Sequence, residues 1–159
     1  GSIFADGGIL GPPPGASDKG PSIFVSGPGA AKLGELTAFG LDIRVMDAPV
    51  GAASSVKMSF AGINKGFTAM AAMMILAATR DGAAGYLRGE LAAISPGLNA
   101  TIEENLPRMY ERAYRFGAEM EEIADYVAAD SAAPDVYRAL QRLSLLSLQD
   151  VRDARRISR

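Results

Sequence analysis

With 159 residues, 48% hydrophobic side chains and a net charge of −2, the chain can bury one real core. Its 16 Lys and Arg are scattered among 18 Asp and Glu, which gives no electrostatic case for nucleic acid. Neither cysteine nor histidine is present, so disulfides, thiolate nucleophiles, thiolate or imidazole metal sites and His-based triads are excluded; acid–base chemistry must use Lys, Tyr or a carboxylate.

In chain order, Ile3–Leu10 reads as a strand that begins without a preceding cap or turn. The abrupt start, after a Gly1-Ser2 pair of the kind left by expression, predicts a fragment of a longer protein whose remaining sheet strands are elsewhere. The segment 11–20, GPPPGASDKG, is a loop by its proline and glycine content, and Ser22–Gly27 is a second strand. Ala30–Phe39 suits a short helix stopped at Gly40, and Asp42–Met46 is a third strand. Everything from Gly51 onward reads as helical: a long helix to about Thr79, a shorter one over Ala83–Ile94, one opening near Leu98, and amphipathic helices over Pro107–Ala128 and Pro134–Arg155. In the fourth of these, Met109, Ala113, Phe116, Met120, Ile123 and Val127 recur at core spacing. The arginines at 152, 155, 156 and 159 read as a solvated helix end. The fold expected is mainly α, with about three short N-terminal strands. Residues 1–50 are expected to complete a dinucleotide-binding domain, and 51–159 to form an all-α domain.

The long helix carries the most informative feature. Lys57 stands in its first turns, where an amine opposes the helix dipole and gains no stability from it. At 100° per residue, Ala61 and Asn64 lie within about 40° of Lys57, with Phe60 at the margin of that stripe. Gly62 and Gly66, each costing about 1 kcal/mol in a helix interior, are expected to mark close approach of another backbone or a ligand. Phe67–Ala78 falls short of the roughly 20 apolar residues that span a bilayer, so it is expected to be a buried helix, with no membrane partner. Because it is apolar almost all round, a second subunit is expected to enclose part of it, making a homodimer through the long helix. No signal peptide is legible, which makes the cytoplasm the expected compartment.

The glycine segments do not form a nucleotide cradle. Gly27-Pro28-Gly29 follows a strand, but Lys32 occupies the third position of a G-x-G-x-x-G fingerprint, and no P-loop is present. Only Gly51 is expected to border a site.

Taken together, these residues resemble the C-terminal half of the β-hydroxyacid dehydrogenase superfamily, which includes the 6-phosphogluconate and 3-hydroxyisobutyrate dehydrogenases. Phe4-Ala5-Asp6-Gly7-Gly8-Ile9-Leu10-Gly11 is similar to the family's substrate strand, Asp-Ala-Pro-Val-Ser-Gly-Gly, and Ser22–Gly27 to the strand after it. Gly51 through Lys57 resembles the Gly-x-Gly-x-x-x-Lys segment that bears the catalytic lysine. Lys57-Met58-x-x-Ala61-Gly62-Ile63-Asn64-x-Gly66 parallels the phosphogluconate enzymes' Lys-Met-x-x-Asn-Gly-Ile-Glu-x-Gly.

The resemblance implies oxidation of a hydroxy-acid-like alcohol by NAD or NADP, the cofactor being bound mainly by an N-terminal domain not in this chain. Lys57 would take the hydroxyl proton, for which its pKa must fall from about 10.4 toward 7–8 through desolvation and the helix N-terminus. Asn64 joins it as the second catalytic position, while Asp6, Gly7, Gly8, Gly11, Phe60 and Ala61 are the implied substrate contacts; no metal is implied. Departures restrict the substrate. An amide at Asn64 cannot protonate an enediol as the family's glutamate does, which disfavours decarboxylation. Phe60 and Ala61 replace a histidine and an asparagine, Leu10 and Pro12 replace a Ser and a Gly, and Glu119 falls near a lysine of the family. Two other readings remain: a noncatalytic helical dimerisation module, and an imine reductase-like domain using a tyrosine such as Tyr86 or Tyr110.

Overall fold

The computed structural model describes residues 2–15, 20–111, 113–129 and 132–142. Three strands and a short helix precede the long helix: β1 (Asp6–Leu10), β2 (Ser22–Ser26), α1 (Ala30–Gly34), a 3-10 turn at Glu35–Phe39 and β3 (Asp42–Val45). Then follow α2 (Ala52–Arg80), α3 (Ala84–Ile94), α4 (Pro96–Glu111), α5 (Ala113–Tyr126) and α6 (residues 133–142). The chain is thus mainly helical with three N-terminal strands. It divides into two compact units, Gly1–Ala61 and Gly62–Arg159, and the division falls inside α2.

In the first unit the sheet order is β1-β2-β3. β1 runs antiparallel to β2, pairing Asp6 with Ser26 and Leu10 with Ser22, whereas β2 and β3 are parallel and joined by the α1 crossover. β1 is shorter than the Ile3–Leu10 expected. Its partner ends at Ser26, where the chain turns at Gly27, so Ile3 and Phe4 have no strand to pair with and stay exposed. Strand alternation puts Asp6, Gly8 and Leu10 on one face of β1 and Gly7 and Ile9 on the other; Gly8 is buried while Gly7 and Ile9 are exposed. Val25, Ser26, Ala30 and Ala53 complete the buried centre of this unit.

In the second unit, α5 supplies the deepest side chains, Met120 and Ile123, and Phe116 is also buried. Ala69 and Ala72 of α2, Ile102 and Met109 of α4 and Leu140 of α6 join the same core. α2 stops one turn past the apolar run: Gly82 adopts φ +72°, and the Ala83 N–H donates to the Ala78 carbonyl at 2.7 Å, as in a Schellman ending. Of Gly62 and Gly66, only Gly62 marks a close approach, and by side chains, not by a backbone or ligand. A Cβ at Gly62 would lie 3.0 Å from Tyr137 Oη and 3.3 Å from Ile123 Cγ2.

Two expectations change. Pro107 does not open a helix; it lies inside α4, which begins at Pro96, a residue suited to the first helical position. Ile102 and Met109, seven apart on one face of α4, are both buried, and this packing offsets the roughly 3 kcal/mol that an interior proline costs. The apolar run of α2 is not fully enclosed by the described residues, since Met70 and Met74 are about half exposed. At 29 residues α2 is also long and apolar enough to cross a membrane by length and composition, and Thr68 and Ala69 on it are buried. The helix expected over Pro134–Arg155 is described only to residue 142, and the C-terminal arginines lie outside the described residues.

Candidate functional site around the start of the long helix

The residue before α2 is Gly51, a weak cap, so the helix has no local Ser, Thr, Asp or Asn to satisfy its first amides. The strands supply the caps instead. Ser26 Oγ, fully buried at the end of β2, accepts from Ala53 N at 3.0 Å. Asp6 Oδ2 accepts from Ser54 N at 2.8 Å, and Asp6 Oδ1 accepts from Ser54 Oγ at 2.6 Å. Ala52 N bonds the Pro49 carbonyl at 3.2 Å, and Ser55 N makes the first regular helix bond, to Gly51 O at 2.9 Å. The Ser54 hydroxyl, then its amide, holds the Asp6 carboxyl below its ordinary pKa, with further help from the Gly7 and Gly51 amides and against a smaller opposing effect of desolvation.

Lys57 follows Ser54 by three residues and is exposed, with no ion-pair or hydrogen-bond partner among the described residues. Its stem is closely placed. A Cβ on Gly8 would press into the Ala53 carbonyl and lie 3.3 Å from Lys57 Cβ, so β1 approaches α2 as only glycine permits. Asp6, Gly8 and Lys57 are therefore brought together by the first unit. Gly7 faces away from them, and Gly11 lies just past the end of β1 with φ +121°. Phe60 is 56% exposed and Ala61 half-buried on the same helix. The burial expected to desolvate the Lys57 amine is not found among the described residues, where Lys57 is exposed.

In the second unit Asn64 is half-buried; its carbonyl accepts from Thr68 Oγ1 at 2.7 Å, and its side-chain amide makes no hydrogen bond among the described residues. Glu119 is engaged by cations, with Lys65 Nζ at 3.1 Å and Arg115 at 3.6 Å. Tyr86 is 83% exposed on α3, and nothing is described of the Tyr110 side chain. An apolar cavity of about 540 Å³ opens among Ile75, Leu87, Arg88, Leu91, Ile102 and Leu106, and none of the residues singled out from the sequence lines it. No group of three or more metal-binding side chains occurs among the described residues.

Sequence reasoning missed Ser26 and Ser54. The signal for them was indirect: a long helix that starts after Pro-Val-Gly lacks its own cap and must borrow one.

Comparison with known proteins agrees with this architecture. Residues 78–144 match the family model described as a domain of unknown function, DUF1932. No curated protein sequence matches the chain. Among solved structures, it is similar to the conserved protein MTH1747, of unknown function and described as structurally similar to 3-hydroxyacid dehydrogenases, with a TM-score of 0.72 and 25% identity over 90% of this chain and 58% of that one. A conserved hypothetical protein from Sinorhizobium meliloti 1021 gives a TM-score of 0.72 and 24% identity over 87% of this chain and 48% of its own. The chain spans about half the length of these two structures. Its fold is thus similar to that of a protein described as structurally similar to 3-hydroxyacid dehydrogenases, and the DUF1932 match covers residues 78–144 of it.

Proposed function

We propose that this chain is the substrate-binding and dimerising part of an NAD(P)-dependent dehydrogenase that oxidises a hydroxy-acid-like alcohol without decarboxylation, and that it works in the cytoplasm. The observation that carries the reading is Lys57: an exposed amine, unpaired among the described residues, on a helix turn that two strands pin in place. As a neutral amine its Nζ would take the hydroxyl proton of the substrate and hold it there. Asn64, whose amide makes no hydrogen bond among the described residues, would orient the substrate and cannot transfer protons itself.

The described residues do not offer a nucleotide its usual cradle. Every first-turn amide of α2 is already bonded, and α1 has only five residues. A nicotinamide nucleotide supplies the hydride acceptor in this chemistry, and we assign its binding to protein outside these residues. The homodimer is proposed to form through α2, where Ile63, Met70 and Met74 leave an apolar stripe about half or more exposed.

The test is to assay the whole natural protein against a panel of hydroxy acids with NAD and with NADP, following formation of the reduced nicotinamide. Turnover with one of them is the expected result. The exposed α2 stripe also favours a second reading, a noncatalytic dimerisation module, which predicts a dimer with no affinity for either nucleotide. An imine reductase-like role, relying on Tyr86, would instead show NADPH-dependent reduction of cyclic imines.

A further inference from the structure

We propose that Asp6 acts with Ser54 as the positioning device of Lys57, not as a contact to substrate, and that Asp6 and Ser26 close the start of α2 to anions. The inference rests on the reading of Lys57 as the reacting amine. Its basis is the complete use of the helix end. The first four amides of a helix ordinarily lack partners and form a ready anion site. Here Ala52, Ala53 and Ser54 each have one, and two of the three acceptors come from strands 27 and 48 residues away in sequence. A substrate carboxylate or phosphate would have to displace Asp6 from Ser54, where both carboxylate oxygens are engaged at 2.8 and 2.6 Å.

The same contacts fix the lysine. Asp6 and Gly8 share one face of β1; Asp6 grips Ser54, and Gly8 meets the Ala53 carbonyl and the Lys57 Cβ one turn further on. Two points of attachment on one strand set both the rotation of α2 about its axis and its position along β1. With that end closed, the acid group of the substrate must be bound by donors other than the α2 amides. The selected substrates are those that present a carbinol to Lys57 while their charge lies away from the helix start.

The test uses the whole chain and trace labelling of amines with acetic anhydride, reading Lys57 against Lys65 by peptide mass spectrometry while circular dichroism confirms the fold. Ser54→Ala and Asp6→Asn are expected to change the Lys57-to-Lys65 ratio several-fold, and Ser54→Thr, which keeps the hydroxyl, to restore the native ratio. An unchanged ratio in both Ser54→Ala and Asp6→Asn overturns the proposal, as does a Ser54→Thr ratio displaced as far as that of Ser54→Ala. Should Ser54→Ala fail to fold, Asp6→Asn, which keeps the side-chain shape and one acceptor oxygen, decides alone. Inorganic phosphate is expected to leave Lys57 labelling unchanged in the native chain, and protection by phosphate contradicts the closed helix end. Because no turnover is read, this outcome is independent of whether Lys57 proves catalytic.

Discussion

At the scale of single residues, Asp6 couples the strand to the helix through charge. Its hydrogen bonds from Ser54 favour the ionised carboxylate and lower its pKa in the folded chain. A depressed folded value means that this contribution is fully present above the unfolded pKa of about 3.9 and is lost as pH falls through the lower folded value. Urea midpoints measured from neutral pH down to acid should therefore show native protein ahead of Asp6→Asn at neutral pH, with the gap closing below about pH 4. A gap that stays constant across that range would mean Asp6 does not titrate as described. Gly8 is the second residue with a sharp consequence. Its replacement by Ala places a methyl group against the Ala53 carbonyl, where backbone must shift, and overpacking of this kind costs about 1–3 kcal/mol. Thermal unfolding of Gly8→Ala should fall by several degrees, and an unchanged midpoint would contradict the close approach of β1 to α2.

At the scale of elements, α2 separates two glycines that sequence alone treats as equals. A Cβ on Gly66 would meet Tyr137 Cε1 at 3.5 Å and Leu140 Cδ1 at 3.8 Å, ordinary contacts, whereas at Gly62 the Tyr137 hydroxyl stands 3.0 Å away. Gly66→Ala should thus gain most of the roughly 1 kcal/mol by which alanine exceeds glycine in a helix, and Gly62→Ala should gain less or lose. Denaturant midpoints of the two variants check this, and a destabilised Gly66→Ala would sink the argument. The start of α2 was legible because Gly51 and the polar Ser54-Ser55 pair precede a long apolar run, and the strands were legible from their turn residues. What caps that start was not, since Ser26 and Asp6 reach it through tertiary contacts that no local pattern encodes. Pro107 misled for a related reason: a local breaker was overruled by the burial of Ile102 and Met109 on the same helix.

At the scale of the whole molecule, the chain matches two solved structures over most of its own length but only about half of theirs, and its α2 stripe is about half or more exposed among the described residues. Replacing Met70 and Met74 by lysine, at positions already half exposed, should leave the fold intact and shift the protein toward monomer in light scattering. A dimer that persists unchanged would place the interface elsewhere. The kind of substrate was legible only as departures from a family motif, because no local pattern names the donors that the proposed acid group and nicotinamide would need.

The central claim is that Lys57 moves the proton, and it is tested by kcat of Lys57→Ala in the whole natural protein on the hydroxy acid that proves to be its substrate. A loss of about 10²–10⁴ in kcat with an unaltered fold is the expected result for a general base. Turnover that survives the substitution would contradict it.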